Sequence, residues 1–419
     1  MTNLRIFTNC MLAACLLTVR FPSFALAVEG KACANPATSA DLIECAFAND
    51  PKVLEARADL EQARAVRSEA GLWSNPGLDA EALYPPRGGN GYKSSVGLLQ
   101  SLAITGWRGH AVRAADFRIS AARVRLEAVR WQVAAEVVIG LVRLRQVAHE
   151  SRLVKEAGKL CDLAMEKSGK LAFLTDEQAT ARQAFLWRRE AIRSRARLLE
   201  NEELEVKERL AVSIGGQAPR ERDFPIPFRE EWPRWPVSEG STPAIAGLRA
   251  EADAARADMA RARAESLPDI SVGPYFETEP GQGASGVSRD WGARISLTLP
   301  LFDRNQGGIS AAAAGRRKAE ASLAAMESAV AGRIKSLERR YQRSVERLLE
   351  YGMSLRQGEG LIEDVKSRYL SGRVSASVVL EVLGSYQEAV EEAHGLERET
   401  YATFWEGCYL SGMKEIPKP

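Results

Sequence analysis

The chain has 419 residues, and its 57 Lys and Arg against 55 Asp and Glu leave a net charge of +2. Such a balance argues against a nucleic-acid binder, which concentrates basic charge. With 45% apolar and 27% charged residues the composition is that of a folded protein, not a disordered one, and the length holds two or three domains.

Residues 1–27 read as an export signal. Arg5 supplies the positive start, an apolar stretch runs from about Met11 to Val19, and Ala25-Leu26-Ala27 has the form of a signal-peptidase site. Leu12-Ala13-Ala14-Cys15 offers a second reading, a lipoprotein cleavage box with Cys15 as the new N-terminus. Either route leads out of the cytoplasm. After the signal no run approaches the ~20 apolar residues of a spanning helix, which leaves a membrane β-barrel open, since its signal is far weaker. Cleavage after Ala27 leaves four cysteines. Cys33 and Cys45, in the N-terminal segment 28–50, form a local disulfide or stay as two buried thiols. Cys161 and Cys408 lie in helical patterns and read as small core residues.

An internal repeat organises the rest. The first repeat covers 51–215 and the second 243–412, with a Pro/Trp-rich linker at 216–242 and a tail at 413–419. Pro51 stands 25 residues before Pro76, and Pro243 stands 25 before Pro268. The segments between are Ala-rich and helical. Each is expected to stop at its proline pair, because proline disfavours helix in the residue before it. A strand, a turn-rich loop and a second strand follow in each repeat. Leu78, Ala80, Ala82 and Tyr84, then Val96, Leu98, Leu102 and Ile104, alternate with polar neighbours in the first. Ile270, Val272, Pro274 and Phe276, then Trp291, Ala293, Ile295, Leu297 and Leu299, do so in the second. Long proline-free helices come next, from about Arg108 to Lys167 and from Gly308 to Ser371. The second is roughly 95 Å long at 1.5 Å per residue. Ser168-Gly169-Lys170 and Ser371-Gly372-Arg373 interrupt them, and return helices follow, the first to about Ser213. Apolar residues spaced by threes and fours, such as Val330, Ile334, Leu337 and Tyr341, or Val379, Val382 and Tyr386, form coiled-coil seams. The linker is expected to be ordered, because its tryptophans need something to pack on.

Nothing in this pattern supports catalysis, a cofactor or a metal site. His110, His149 and His394 are isolated in sequence, and no Cys/His spacing fits zinc. Gly281 to Gly286 matches a dinucleotide fingerprint but precedes a strand where that site needs a helix, so it reads as an extracellular hairpin loop. Four short strands cannot close a barrel, and backbone in lipid must be fully paired. The expected fold is therefore mainly α with a membrane β-barrel. Three chains, four strands each, build twelve strands, and long antiparallel coiled-coil helices continue them as an α-barrel.

From about Asp41 to Gly412 the arrangement resembles the TolC family of outer-membrane efflux proteins. The string Leu299-Pro300-Leu301-Phe302-Asp303-Arg304-Asn305-Gln306-Gly307, with Gly106-Trp107-Arg108-Gly109 as its first-repeat counterpart, is similar to the cobalt-zinc-cadmium (heavy-metal) branch. The chain departs from that branch at Ser101, Ala103 and Thr298, where prolines are common. The resemblance implies a channel subunit of an export pump. It implies a homotrimer in outer-membrane lipid with a long periplasmic extension, docked on a periplasmic adaptor and an inner-membrane RND-type proton-driven pump. It implies adaptor docking at Ser168, Gly169, Lys170, Ser371, Gly372 and Arg373. It further implies a periplasmic aperture at Tyr369, Arg373 and Glu381, with Val378 where the family carries a further acid. Competing readings are a periplasmic adaptor, which has one helical hairpin between small β-domains, a drug- or protein-export channel, and a soluble coiled-coil protein.

Overall fold

The computed structural model describes residues 38–83, 93–170, 173, 175–216, 231–237, 242–280, 287–413 and 415–417. The export signal, both cleavage sites and the loops at 85–92 and 281–286 lie outside them.

The described chain opens with a helix the sequence reading passed over, α1 (Ser39–Asn49), started by a capping box. Asp41 N donates to Thr38 Oγ1 at 3.2 Å, and Thr38 N donates to Asp41 Oδ2 at 2.8 Å, which satisfies two of the free N–H groups of a helix start. Helix α2 (Pro51–Ala70) begins at a proline behind the Asp50 cap, and α5 (Pro243–Ala264) begins the same way behind Thr242. Both end before their proline pairs, at Gly71 and Glu265. The long helices are α3 (Trp107–Gly169) and α6 (Gln306–Leu370), with returns α4 (Asp176–Ile214) and α7 (Ala376–Leu410). Among the described residues no helix is long and apolar enough to cross a membrane.

The strands β1 (Gly77–Leu83), β2 (Lys93–Leu102), β3 (Asp269–Pro280) and β4 (Val287–Thr298) form one antiparallel sheet in the order β1-β2-β3-β4. The two repeats therefore meet at the β2–β3 pairing, where Ser94 faces Thr278 and Leu102 faces Ile270. In the helical part α3 packs on α4 and α7, and α7 packs on α6, while α2 and α5 lie on α3. One apolar core, with Leu42, Val137, Val142, Leu210 and Cys408 buried, ties α1, α3, α4 and α7 together, and a second near the far end holds Leu160, Phe185, Leu199, Val379 and Leu383. The linker tryptophans pack as expected. Trp232 and Trp235 stack against Tyr341, and Tyr341 Oη donates to Pro233 O at 2.6 Å. Gly407 admits Trp235, because a Cβ there would lie 2.2 Å from its ring. Cys161 and Cys408 are buried free thiols. Cys45 is disulfide-bonded, its partner lying outside the described residues.

Candidate functional site

Cross-strand register sorts the sheet into two chemically distinct faces, because neighbours on a strand point oppositely. On one face the rows run Ala80, Val96, Phe276, Trp291, then Val272, Ile295, then Leu102, Ile270, Leu297. Among the described residues nothing lies over this face: Trp291 is 78% exposed and Ile295 74%. The other face carries Asp79, Glu81, Ser95, Glu277, Asp290 and Arg294. There Lys93 pairs with Glu277 and Glu279, Arg294 pairs with Asp79, and Arg294 also lies 5.3 Å from the centre of the Tyr275 ring. Among the described residues both edges, β1 and β4, lack a partner strand. An open sheet with one apolar and one charged face is the building block of a barrel with lipid outside and water inside.

The helical tips lie at the far end of α3 and α6. After α6 the chain turns at Gly372, φ 76°, with Arg373 N donating to Arg368 O at 2.9 Å, the glycine-dependent end of a helix. Gly169 instead stays inside α3, whose cap is Lys170 at φ −85°. The two tips share a tripeptide pattern but not a conformation. Tyr369 is 8% exposed and packs against Phe185 with ring centres 6.4 Å apart. Lys167 Nζ donates to Tyr369 O at 3.1 Å and lies over the ring. Glu381, Arg373 and Val378 are exposed.

Midway along the helices a buried polar cluster joins α3, α4 and α7. Glu150, 4% exposed, accepts from Arg143 at 2.6 Å, from Arg195 at 3.1 Å and from His394 Nδ1 at 2.9 Å. Arg143 also forks onto Glu202, at 2.6 Å to each oxygen. With His394 Nδ1 donating to Glu150, its Nε2 is free to accept from His149 Nδ1, 3.3 Å away. Gln146, fully buried, donates to His394 O and to Glu397, which also pairs with Arg145. Burial pushes the Glu150 carboxyl up, but hydrogen bonds from His394 and Arg143 outweigh it and hold the pKa down at about 2. Burial, helped by His394, Arg152 and Arg145, lowers His149 to about 4, so the His149 imidazole is neutral at pH 7. Among the described residues no group of three His, Cys, Asp or Glu is placed to hold a metal ion.

Residues 238–401 match the outer membrane efflux protein family. The chain is 26% identical over 297 residues to the nickel-cobalt-cadmium resistance protein NccC of Alcaligenes xylosoxydans xylosoxydans, an alignment covering 67% of this chain. It spans 65% of that relative's length. In fold it is similar to the Campylobacter jejuni CmeC outer membrane channel, with a TM-score of 0.73, 14% identity, and 89% of this chain and 85% of that one covered. It is likewise similar to the outer membrane protein VceC of Vibrio cholerae, with a TM-score of 0.69, 17% identity, and 89% and 96% covered.

Among the described residues the alternating strand side chains come together on the face where their period placed them, Tyr84 lying outside those residues. The aperture set does not gather within one chain. Tyr369 lies in the core of the tip and Glu381 on an open helix face, and the Tyr369 hydroxyl makes no hydrogen bond among the described residues. His149 and His394, isolated in sequence, are in contact. The signal for that cluster was present as Gln146, Glu150 and Glu397 on helix faces otherwise filled by residues such as Val142, Val147, Val154 and Leu396.

Proposed function

We propose that this protein is the outer-membrane channel subunit of a tripartite efflux pump, an exporter component and not an enzyme. Three copies join β4 of one to β1 of the next, giving a twelve-stranded barrel that continues into an α-barrel of the long helices. The observation that carries this is the sheet. Its edges are open, one face is apolar and uncovered, the other is charged, and roughly 95 Å of helix leads away from it. The repeats at 51–215 and 243–412 each supply one hairpin and one helix pair to that tube. The tips bearing Ser168, Gly169 and Lys170, and Ser371, Gly372 and Arg373, face a periplasmic adaptor coupled to an inner-membrane proton-driven pump. Tyr369, Arg373 and Glu381 belong to the aperture there, with Glu381 gathered at the axis only in the trimer.

The cargo we propose is a divalent transition-metal cation of the nickel, cobalt and cadmium class. The likeness to NccC supports that choice, and so does the acidic inner face of the sheet, since rings of carboxylates favour cations by their field. The test is growth of a strain lacking the protein on nickel, cobalt and cadmium salts and on hydrophobic drugs. Sensitivity to the metals alone, restored by the wild-type chain, is expected. Sensitivity to drugs alone would assign the channel to a drug pump.

A further inference from the structure

The helices of one chain form a row, α4 on α3, α3 on α7 and α7 on α6, which leaves α4 and α6 at its two ends. Each end presents a charged stripe to the outside. On α6, Arg339, Arg343 and Glu346 are spaced by four and three. On α4, Glu208, Glu200 and Arg197 are spaced by eight and three, so each set shares a helix face. All six side chains are exposed. None makes an ion pair or hydrogen bond among the described residues, although exposed charges on these helices are otherwise widely paired, as Arg340 with Glu399 and Arg347 with Glu392.

The stripes change sign at the same height. Arg195 of α4 pairs with Glu391 of α7 at 2.8 Å, and Arg347 of α6 pairs with the adjacent Glu392 at 3.0 Å, so residues 195 and 347 are level. The helix α4 climbs from the tips with rising number, and α6 climbs with falling number. Arg197 is then two residues above that level and Glu346 one above it, while Glu200 is five above and Arg343 four. Glu208 and Arg339 continue the same signs upward, thirteen and eight residues above. At 1.5 Å per residue the two nearest pairs differ in height by about 1.5 Å. Rotation about an axis parallel to the helices keeps every residue at its own height. A second copy so rotated brings its α4 beside α6 of the first with unlike charges opposed at those two pairs, and with Arg339 about 7.5 Å below Glu208.

We infer that the α6 stripe of one copy docks on the α4 stripe of the next, with Arg339 and Arg343 against Glu208 and Glu200, and Glu346 against Arg197. This rests on the trimer proposed above and assigns its helical seam. The sign change also favours this register, because a shift of one helical turn along the axis sets a like pair, Glu346 against Glu200 or Arg343 against Arg197, in place of unlike ones. It favours the head-to-tail ring over a two-fold dimer that would set α6 against α6.

The test uses the full chain purified in detergent from outer-membrane fractions, with trimer yield read by native mass spectrometry. Arg339→Glu with Arg343→Glu is expected to cut trimer yield about tenfold, the equivalent of 1.4 kcal/mol. Adding Glu200→Arg and Glu208→Arg is expected to restore it to about the wild-type level. Helical circular dichroism of each variant serves as the folding control, since all four positions are exposed. Independently, Arg343→Cys with Glu200→Cys is expected to give covalently linked trimers with a short thiol cross-linker, which neither single variant gives. Unchanged trimer yield in the first variant would overturn the seam and leave the trimer standing. If those variants instead lost only adaptor capture, the stripe would be an adaptor surface and the inference would fail. A wild-type protein that was itself monomeric would overturn the trimer, and the seam with it.

Discussion

Ile295→Arg puts a charge on the apolar face of β4, and its neighbour Ser296→Arg puts the same charge on the polar face. Ile295 lies opposite Val272 and is 74% exposed, while Ser296 lies opposite Ser271. The twelve residues of β4 span ~40 Å at ~3.3 Å each, and a tilt of ~40° reduces that to ~30 Å of height, the thickness of a hydrocarbon core. Ile295 then sits ~6 Å from the middle of the strand. Arginine on the lipid face costs ~2–4 kcal/mol at the midplane and less toward the interfaces, so ~2 kcal/mol per chain and ~6 kcal/mol per trimer is expected. Leu297→Arg, closer to the strand end, should cost less. Ser296→Arg, facing water, should cost little. The assay is the yield of trimers surviving unheated electrophoresis of outer-membrane fractions. Equal yields for Ile295→Arg and Ser296→Arg would show that the two faces are not lipid and lumen.

The buried cluster gives a pH prediction. An unfolded chain protonates His149 near pH 6.5 and the folded chain only near 4, so the folded state loses stability as pH falls through that window. Allowing for solvent screening the loss between pH 7 and pH 5 is about 1 kcal/mol, and thermal melting of the helices at those two pH values should show it, flattened in His149→Gln. The low pKa of Glu150 adds a further loss only below about 4.5, the stability it confers being present above that pH. Gly407→Ala sets a Cβ 2.2 Å from the Trp235 ring and should destabilise by ~1–3 kcal/mol in chemical denaturation, with Trp235→Leu relieving the clash. Glu381→Gln should lower the cation/anion permeability ratio in planar bilayers without changing trimer yield, and an unchanged ratio would make Glu381 an ordinary surface residue.

Much of the fold was legible because its periods are long. Sixty-five residues of three-four spacing on α6 and the strict alternation from Trp291 to Leu299 leave little room for another assignment. Proline marked the starts of α2 and α5 well and their ends poorly, because each helix stops where its last carbonyls find caps, ahead of the proline pair. Helix α1 was missed although Thr38 and Asp41 carry its capping box. The polar residues of the cluster were visible on apolar helix faces, but the pairing of its histidines was out of reach for a different reason. His149 and His394 are 245 positions apart, and a single buried histidine carries no mark of its partner. The proposed aperture could not be assembled from one chain by any reading, since copies of Glu381 would meet only across the axis of the proposed trimer.

On the proposed function, three chains form an obligate ring that closes one barrel in the outer membrane. Native mass spectrometry of the protein extracted from outer-membrane fractions tests it most directly. A single species at three times the mass of the mature chain, falling to one chain on heating in SDS, is the predicted result, whereas a monomer recovered from the periplasmic fraction would contradict it.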